Sequence, residues 1–310
     1  MTCMRFGLNL PHTGGNATGD VTANLATAAR TAESLGFDAL FVGDHVVYPS
    51  ALGSRYPHRP DGRFILSDGG RILEPLSVLN YVAALTSRIK IGTALLVLPY
   101  RNPVVVAKEV ATLDVLSRGR VILGVGPGWM AEEFEALGVP FERRGAITDE
   151  AIDVIRELWT AEVPSFSGEF TSFTDVLFEP RPVQRPAPPI WIGGQSKPAI
   201  RRVVRRGDGW LAVVHSPEEY RACLDQFLEM ADKAQRDPAE VTLAVSPRGK
   251  SVVETIDDIP AYQELGAEMM WIAYGHHTKS FAEMHESMHV FAERAGLTPD
   301  TGKPAEGSAA

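Results

Sequence analysis

Cysteine is scarce. Only Cys3 and Cys223 occur in 310 residues, too few for a disulfide framework, and Cys223 falls on an apolar helical stripe with Tyr220, Leu224 and Phe227, where a reduced, buried thiol fits. A cytosolic location is the expectation. No apolar run is long enough to span a bilayer. Met1 to Leu10 has one arginine and then a short alternating stretch, in place of a signal peptide's apolar segment and cleavage site. Excess positive charge is missing too: 30 Lys and Arg stand against 39 Asp and Glu, a net charge of -9. That leaves no chain-wide attraction for nucleic acid or an anionic membrane. Internal repeats are absent. What remains, 45% hydrophobic and 22% charged residues, is the composition of an ordinary globular chain.

Short β-rich runs alternate with helical patterns along this chain. Strands are predicted at residues 6–10, 39–42, 90–97, 121–125, 190–192, 210–214, 241–245 and 269–273. The helices between them are legible by period: Val21, Leu25, Ala28, Ala29, Ala32 and Leu35 form one face, and Gly36 stands where a C′ glycine belongs. Ser216-Pro217-Glu218-Glu219 combines an N-cap, a proline at N1 and a capping-box glutamate. Eight strands in βα alternation are the number that closes a parallel barrel, so the expected fold is a (β/α)₈ barrel over residues 1–297, with an open doubly wound sheet as the alternative. Two segments interrupt the rhythm, 46–73 and 164–189, and both are expected at the barrel mouth. Residues 298–310 are small, polar and aperiodic, as in a loose tail.

In such a barrel the chemistry sits where strands end. The second strand ends Gly43-Asp44-His45, a carboxylate and an imidazole able to orient a cofactor and move a proton near neutral pH. The fourth runs Gly124-Val125-Gly126-Pro127-Gly128-Trp129. Its glycines admit a backbone to a flat ring or phosphate, and Trp129 can wall a pocket; the third glycine is misplaced for a dinucleotide fingerprint, and no acidic residue follows at the required distance. The fifth ends Gly193-Gly194-Gln195-Ser196 before a helix, a candidate phosphate cradle or a simple N-cap. His12, His215, Arg248 and His276-His277 follow other strands and face the same mouth.

These runs, with Leu35 to His45, Ile91-Gly92-Thr93-Ala94, Arg101-Asn102-Pro103, Ser117 to Val121 and Pro189 to Gly194, resemble the bacterial luciferase-like family in the family's own order, over roughly residues 6–295. Gly124 to Trp129, Glu132-Glu133-Phe134, Gly138-Val139-Pro140-Phe141 and Arg143-Arg144-Gly145 are similar to members that use the 8-hydroxy-5-deazaflavin coenzyme F420. The resemblance implies a redox enzyme acting on a small molecule, often a homodimer, with F420 or riboflavin phosphate (FMN) over the barrel mouth. His45 matches the family's active-site histidine and Asp44 its cofactor-contacting neighbour. Gly126, Pro127, Gly128, Gly193, Gly194, Gln195 and Ser196 match positions lining the ring and its phosphate, and Trp129 belongs to the same wall. Family members carry a bulge with a non-proline cis peptide against the ring, and Ala94-Leu95 is the matching bond. A relative that keeps the barrel and only binds the cofactor is the non-enzymatic alternative.

Two departures narrow the expectation. Trp129 and Pro49 stand where sugar-phosphate dehydrogenases of the family carry glutamate and tryptophan, which argues against a phosphorylated sugar. Pro127 replaces an arginine that several FMN-dependent members place on the phosphate, which favours the deazaflavin. His285-Glu286-Ser287-Met288-His289 reads as a zinc-protease H-E-x-x-H. However, Phe281, Met284, Met288, Phe291 and Ala295 make its helix an outer barrel helix, and no metal is expected.

Overall fold

Eight parallel strand positions close into a barrel in the computed structural model, which describes residues 4–13, 19–50, 52–57, 59, 61–64, 71–273, 278 and 280–298. The strands are β1 (Arg5–Asn9), β2 (Ala39–Val42), β3 (Lys90–Thr93) with its continuation β4 (Leu96–Val97), and β5 (Val121–Gly126). After a small hairpin of β6 (Phe166–Ser167) and β7 (Ser172–Phe173) come β8 (Ile190–Gly193), β9 (Gly209–Val214), β10 (Thr242–Pro247) and β11 (Met269–Ile272). The barrel order is β3-β2-β1-β11-β10-β9-β8-β5, and β5 returns to pair with β3 and β4, so no edge stays open. Among the described residues, ten helices pack around or cap it: α1 (Val21–Leu35), α2 (Pro75–Leu85), α3 (Pro103–Ser117), α4 (Ala131–Ala136), α5 (Arg144–Thr160), α6 (Lys197–Arg206), α7 (Pro217–Ala234), α8 (Val252–Asp257), α9 (Ile259–Glu264) and α10 (Phe281–Arg294).

Alternation along the strands separates two cores. Inward residues, among them Phe41, Ile122, Trp191, Leu211, Met269 and Trp271, fill the barrel. Outward neighbours such as Leu8, Leu40, Ile91 and Val125 meet the helices. Burying one such side chain stabilises the fold by about 1.5–3 kcal/mol. Helix ends follow the local sequence: Gly36 caps α1 in the left-handed region, and Ser216 caps α7 through the Glu219 amide. Glu219 departs from the expected box. Its carboxylate accepts from the His215 amide, one residue before the cap.

The predicted strand 90–97 is broken. The Ala94–Leu95 peptide bond is cis, and the chain bulges inward between β3 and β4. Neighbouring glycines make room for that bulge. A Cβ on Gly124 would lie 1.9 Å from the Thr93 carbonyl oxygen, and one on Gly193 would lie 2.2 Å from a Leu95 methyl.

The two insertions separate. The described residues of the one after β2 lie over the strand C-termini, as expected. Segment 164–189 does not, because α5 intervenes between β5 and the insertion, and the chain has already returned to the strand N-termini. Its hairpin lies against α5, where Glu150 accepts from the Glu169, Phe170 and Thr171 amides. Its end joins the base of the barrel, where Asp114 accepts from the Val183 and Gln184 amides.

Candidate functional site

The site begins at the end of β2. Asp44 is fully enclosed, and its carboxylate accepts from both terminal nitrogens of Arg101 and from the Val97 amide at 2.9 Å. Burial pushes its pKa up, and the Arg101 guanidinium opposes that shift. The motif Arg101-Asn102-Pro103 thereby gains a local reason: the arginine clamps Asp44, the asparagine caps α3 through the Val104 amide, and the proline takes N1. Asp44 thus holds the strand bulge through β4, with three hydrogen bonds spent inside the protein.

His45 follows on the mouth side. Its Nδ1 lies 2.7 Å from Oε2 of Glu133 on α4. The carboxylate is acceptor-only, so Nδ1–H donates and Nε2 is left as the nitrogen without that partner. Glu133 is wholly buried and fully engaged: Oε2 also accepts from the Tyr100 hydroxyl at 2.8 Å, and Oε1 accepts from the Val46 and Val47 amides. Burial raises its pKa, but the bonds from His45, Val46 and Tyr100 outweigh that and hold the carboxyl below its usual value. Tyr100 and Tyr48 shift the other way, chiefly by burial and then by the Glu133 charge, and stay phenols. A charged, oriented carboxylate behind an imidazole is the arrangement of a general acid–base dyad.

Aromatic side chains from the insertion close over this dyad. Tyr48, Phe64 and Trp129 lie 4.9, 5.6 and 6.0 Å from the His45 ring, and Tyr56 packs 5.1 Å from both Phe64 and Trp129. Trp129, which follows β5, completes this aromatic cluster beside His45. Glu132 ties the insertion down by accepting from the Gly53 and Ser54 amides, and the Ser54 hydroxyl accepts from the Ala131 amide. These bonds, led by Ser54, lower the Glu132 carboxyl to about 2.

The glycine segments have a different local cause from the one expected. The Leu95 side chain lies over Gly126 and Gly193, where any Cβ would collide with it. Gly128 has φ of 78°, and a Cβ there would lie 2.7 Å from Val97 and 2.9 Å from Phe134. They fit the backbone around the bulge, and Ala94 and Leu95, both half-buried, present the surface to the mouth. Pro127 is half-buried between them. On β8, the Gly194 carbonyl accepts from the Trp210 indole at 2.7 Å, Gln195 is half-buried, and exposed Ser196 caps α6 through the Ala199 amide. The hydroxyl is spent as a cap acceptor, and its proton is free to donate.

Several buried polar atoms at the inward-facing ends of the strands have no partner among the described residues: Asn9 Oδ1, Ser246 Oγ, Trp271 Nε1, and Nε and Nη1 of Arg248. Buried polar groups are seldom left unsatisfied without a role. His12 is no part of that set. Its Nε2 accepts from the Gly43 amide at 2.8 Å and Nδ1–H donates to the Leu10 carbonyl, so it pins β1 to β2. Burial lowers its pKa to about 4. His276 and His277 lie outside the described residues.

The H-E-x-x-H helix is remote. His285 bonds Thr31 on α1 at 3.1 Å, and Phe291 of the same helix packs on Phe6 and Phe37. Among the described residues, no group of three or more His, Cys, Asp or Glu side chains converges to hold a metal. A cavity of about 720 Å³ lies at the base of the barrel, lined by Arg5, Asp38, Lys90, Gln184 and Met269, far from His45. Sequence reasoning placed His45, Asp44 and Trp129 here and missed Glu133, Tyr100 and Arg101. The runs containing Glu133 and Arg101 carried the family resemblance, but both residues lie beyond the strand ends that were searched.

Comparison with known proteins bears on the family and the fold. The sequence pattern of the luciferase-like monooxygenase family matches residues 4–294. An uncharacterized protein of Mycobacterium tuberculosis is 30% identical over 272 residues, 86% of this chain and 92% of that one. A phthiodiolone/phenolphthiodiolone dimycocerosates ketoreductase of the same species is 32% identical over 231 residues, 73% of this chain and 60% of the enzyme. Among solved structures, the monooxygenase RslO1 from Streptomyces bottropensis superposes with a TM-score of 0.74 at 22% identity, covering 94% of this chain and 98% of its own. An F420-dependent secondary alcohol dehydrogenase with an F420-acetone adduct gives 0.73 at 18%, covering 96% and 99%. By sequence match and by fold alike, the chain belongs to the luciferase-like monooxygenase family.

Proposed function

We propose that this protein is an oxidoreductase that moves a hydride between the deazaflavin coenzyme F420 and a small organic substrate, with His45 as the proton donor or acceptor. The observation that carries the reading is the His45–Glu133 dyad, one imidazole nitrogen fixed by a buried carboxylate and the other free of it. The residues at the mouth suit a flat ring with polar edges. Gly43 brings backbone without a side chain, Ala94 and Leu95 form a low apolar ledge, and Asn9 Oδ1, without a partner among the described residues, offers a hydrogen-bond acceptor. Gly194, Gln195 and Ser196 at the α6 N-terminus would take a phosphate.

Bound there, F420 would supply two-electron hydride chemistry. The chain's own residues do the rest. Asp44 and Arg101 fix the bulge against which the ring would lie. Glu133 keeps the His45 ring oriented, so that Nε2 takes the proton of an alcohol being oxidised or returns it to the oxygen of a carbonyl being reduced. Tyr48, Tyr56, Phe64 and Trp129 exclude water from that transfer. A ketoreductase among the curated relatives and an alcohol dehydrogenase among the structural ones support this reaction class. The absence of an arginine at Pro127 supports the deazaflavin over FMN.

The test is titration of the purified protein with F420 and with FMN, followed by oxygen consumption after reduction of the bound coenzyme. Saturable F420 binding without oxygen uptake is expected. Tight FMN binding with rapid oxygen uptake would make the protein a monooxygenase, and binding of neither would leave a barrel without this chemistry.

A further inference from the structure

Strand β10 ends at Pro247, yet the Arg248 amide still donates to the Val214 carbonyl at 2.8 Å, so the alternation of sides runs one residue further. Ala244 belongs to the barrel interior. Ser246 and Arg248 share its parity and face the axis, Arg248 in the layer nearest the mouth. The Nε and Nη1 atoms of Arg248 are shut off from solvent without a hydrogen-bond partner, and no ion pair engages it among the described residues. A guanidinium cannot shed its proton to escape this situation. The register pairing Val245 with Met270 sets Ser246 beside Trp271, and Ser246 Oγ and Trp271 Nε1, one layer below, are donors without a partner among the described residues. Across the mouth, the Tyr56 phenol lies within electrostatic reach of Arg248 and belongs to the aromatic wall with Phe64 and Trp129.

We infer that Arg248 selects the substrate: it receives the oxyanion of a singly charged organic carboxylate whose apolar body rests against Tyr56, Phe64 and Trp129. One cation with neutral donors beneath it suits a monoanion, whereas a phosphate dianion calls for further positive charge. A coenzyme's anionic tail is the other source of such a group, and Gly194 to Ser196 offer it a separate cradle two strands away. The inference rests on the mouth being the redox site proposed above, but its test does not need the coenzyme.

Benzoate and its neutral counterpart benzamide are titrated calorimetrically into wild type, Arg248→Met and Arg248→Lys, each with and without coenzyme, alongside inorganic phosphate and both coenzymes. Wild type should prefer benzoate over benzamide and over phosphate by about tenfold or more, the methionine variant should lose that preference, and the lysine variant should keep part of it. Coenzyme affinity should change little. The ligand-free methionine variant should melt above wild type, because an uncompensated buried cation has been removed. Equal binding of benzoate and benzamide by wild type would overturn the inference. A methionine variant that loses coenzyme affinity but keeps the benzoate preference would assign the guanidinium to the coenzyme tail instead. A variant that is folded but melts below wild type would make Arg248 structural. Failure of both coenzymes to bind wild type, with the benzoate preference intact, would reject the redox reading alone.

Discussion

At the scale of single residues, the division of labour proposed for His45 and Glu133 predicts kinetic consequences. His45→Ala should cut turnover of F420 with a panel of alcohols and ketones by ~10²–10⁴, while coenzyme affinity stays within several-fold. Glu133→Gln keeps the shape, replaces one of the two accepting oxygens by an NH2 that can only donate, and removes the charge that orients the imidazole. It should lower kcat by roughly 10–100-fold with KM nearly unchanged. A KM rise at constant kcat would mean Glu133 only shapes the pocket. His12 is a separate matter of stability. Its folded pKa of about 4 lies below the ordinary 6.5, so the unfolded chain binds the extra proton first. The contribution of neutral His12 is complete above pH 6.5 and is lost as pH falls toward 4, on the order of 3 kcal/mol in all. Denaturant titrations across that window should show a shallower decline for His12→Gln than for wild type.

At the scale of elements, the break between β3 and β4 organises the mouth. Its ledge is locked from one side by Asp44 on the Val97 amide and from the other by Leu95 over Gly193. In Gly193→Ala the new methyl would stand 2.2 Å from a Leu95 methyl. Overpacking of this kind costs about 1–3 kcal/mol. Thermal denaturation should show that loss, and Leu95→Ala added to the same chain should recover part of it; an unchanged melting temperature for the single variant would deny the contact. The break itself is not written in residue periodicity, since 90–97 reads as one continuous β-rich run ending in four apolar residues; it was legible only through the resemblance. The aromatic cover was equally hidden, because Tyr48, Tyr56 and Phe64 are irregularly spaced in a segment rich in Pro, Gly and Arg. Segment 164–189 was misplaced for a simple reason: what decides the end of the barrel is the element just before a loop, and here that element is α5.

At the scale of the whole molecule, the alternation of apolar strands and capped helices was enough to give the barrel, because a parallel strand buried on both sides leaves a dense run of Val, Ile, Leu and aromatic residues. All eight strand positions appear within a few residues of their expected places. The site was legible only in part, since Asp44 and His45 sit at a strand end, whereas Glu133, Tyr100 and Arg101 reach the same point from helix and turn segments far along the chain. The two ends of the barrel also differ in kind. The base is tied by carboxylates that cap backbone, such as Glu33 on the Ser87, Arg88 and Ile89 amides, and it borders the cavity of about 720 Å³. The mouth holds the dyad and the unpartnered polar atoms. The central claim is that the mouth, and not the base, receives the coenzyme. A crystal structure of the protein with F420 bound tests it directly. The account predicts the ring against Ala94 and Leu95 with its reacting edge in hydrogen-bond reach of His45 Nε2; a ring in the cavity beside Asp38 and Lys90, or one turned away from His45, would contradict it.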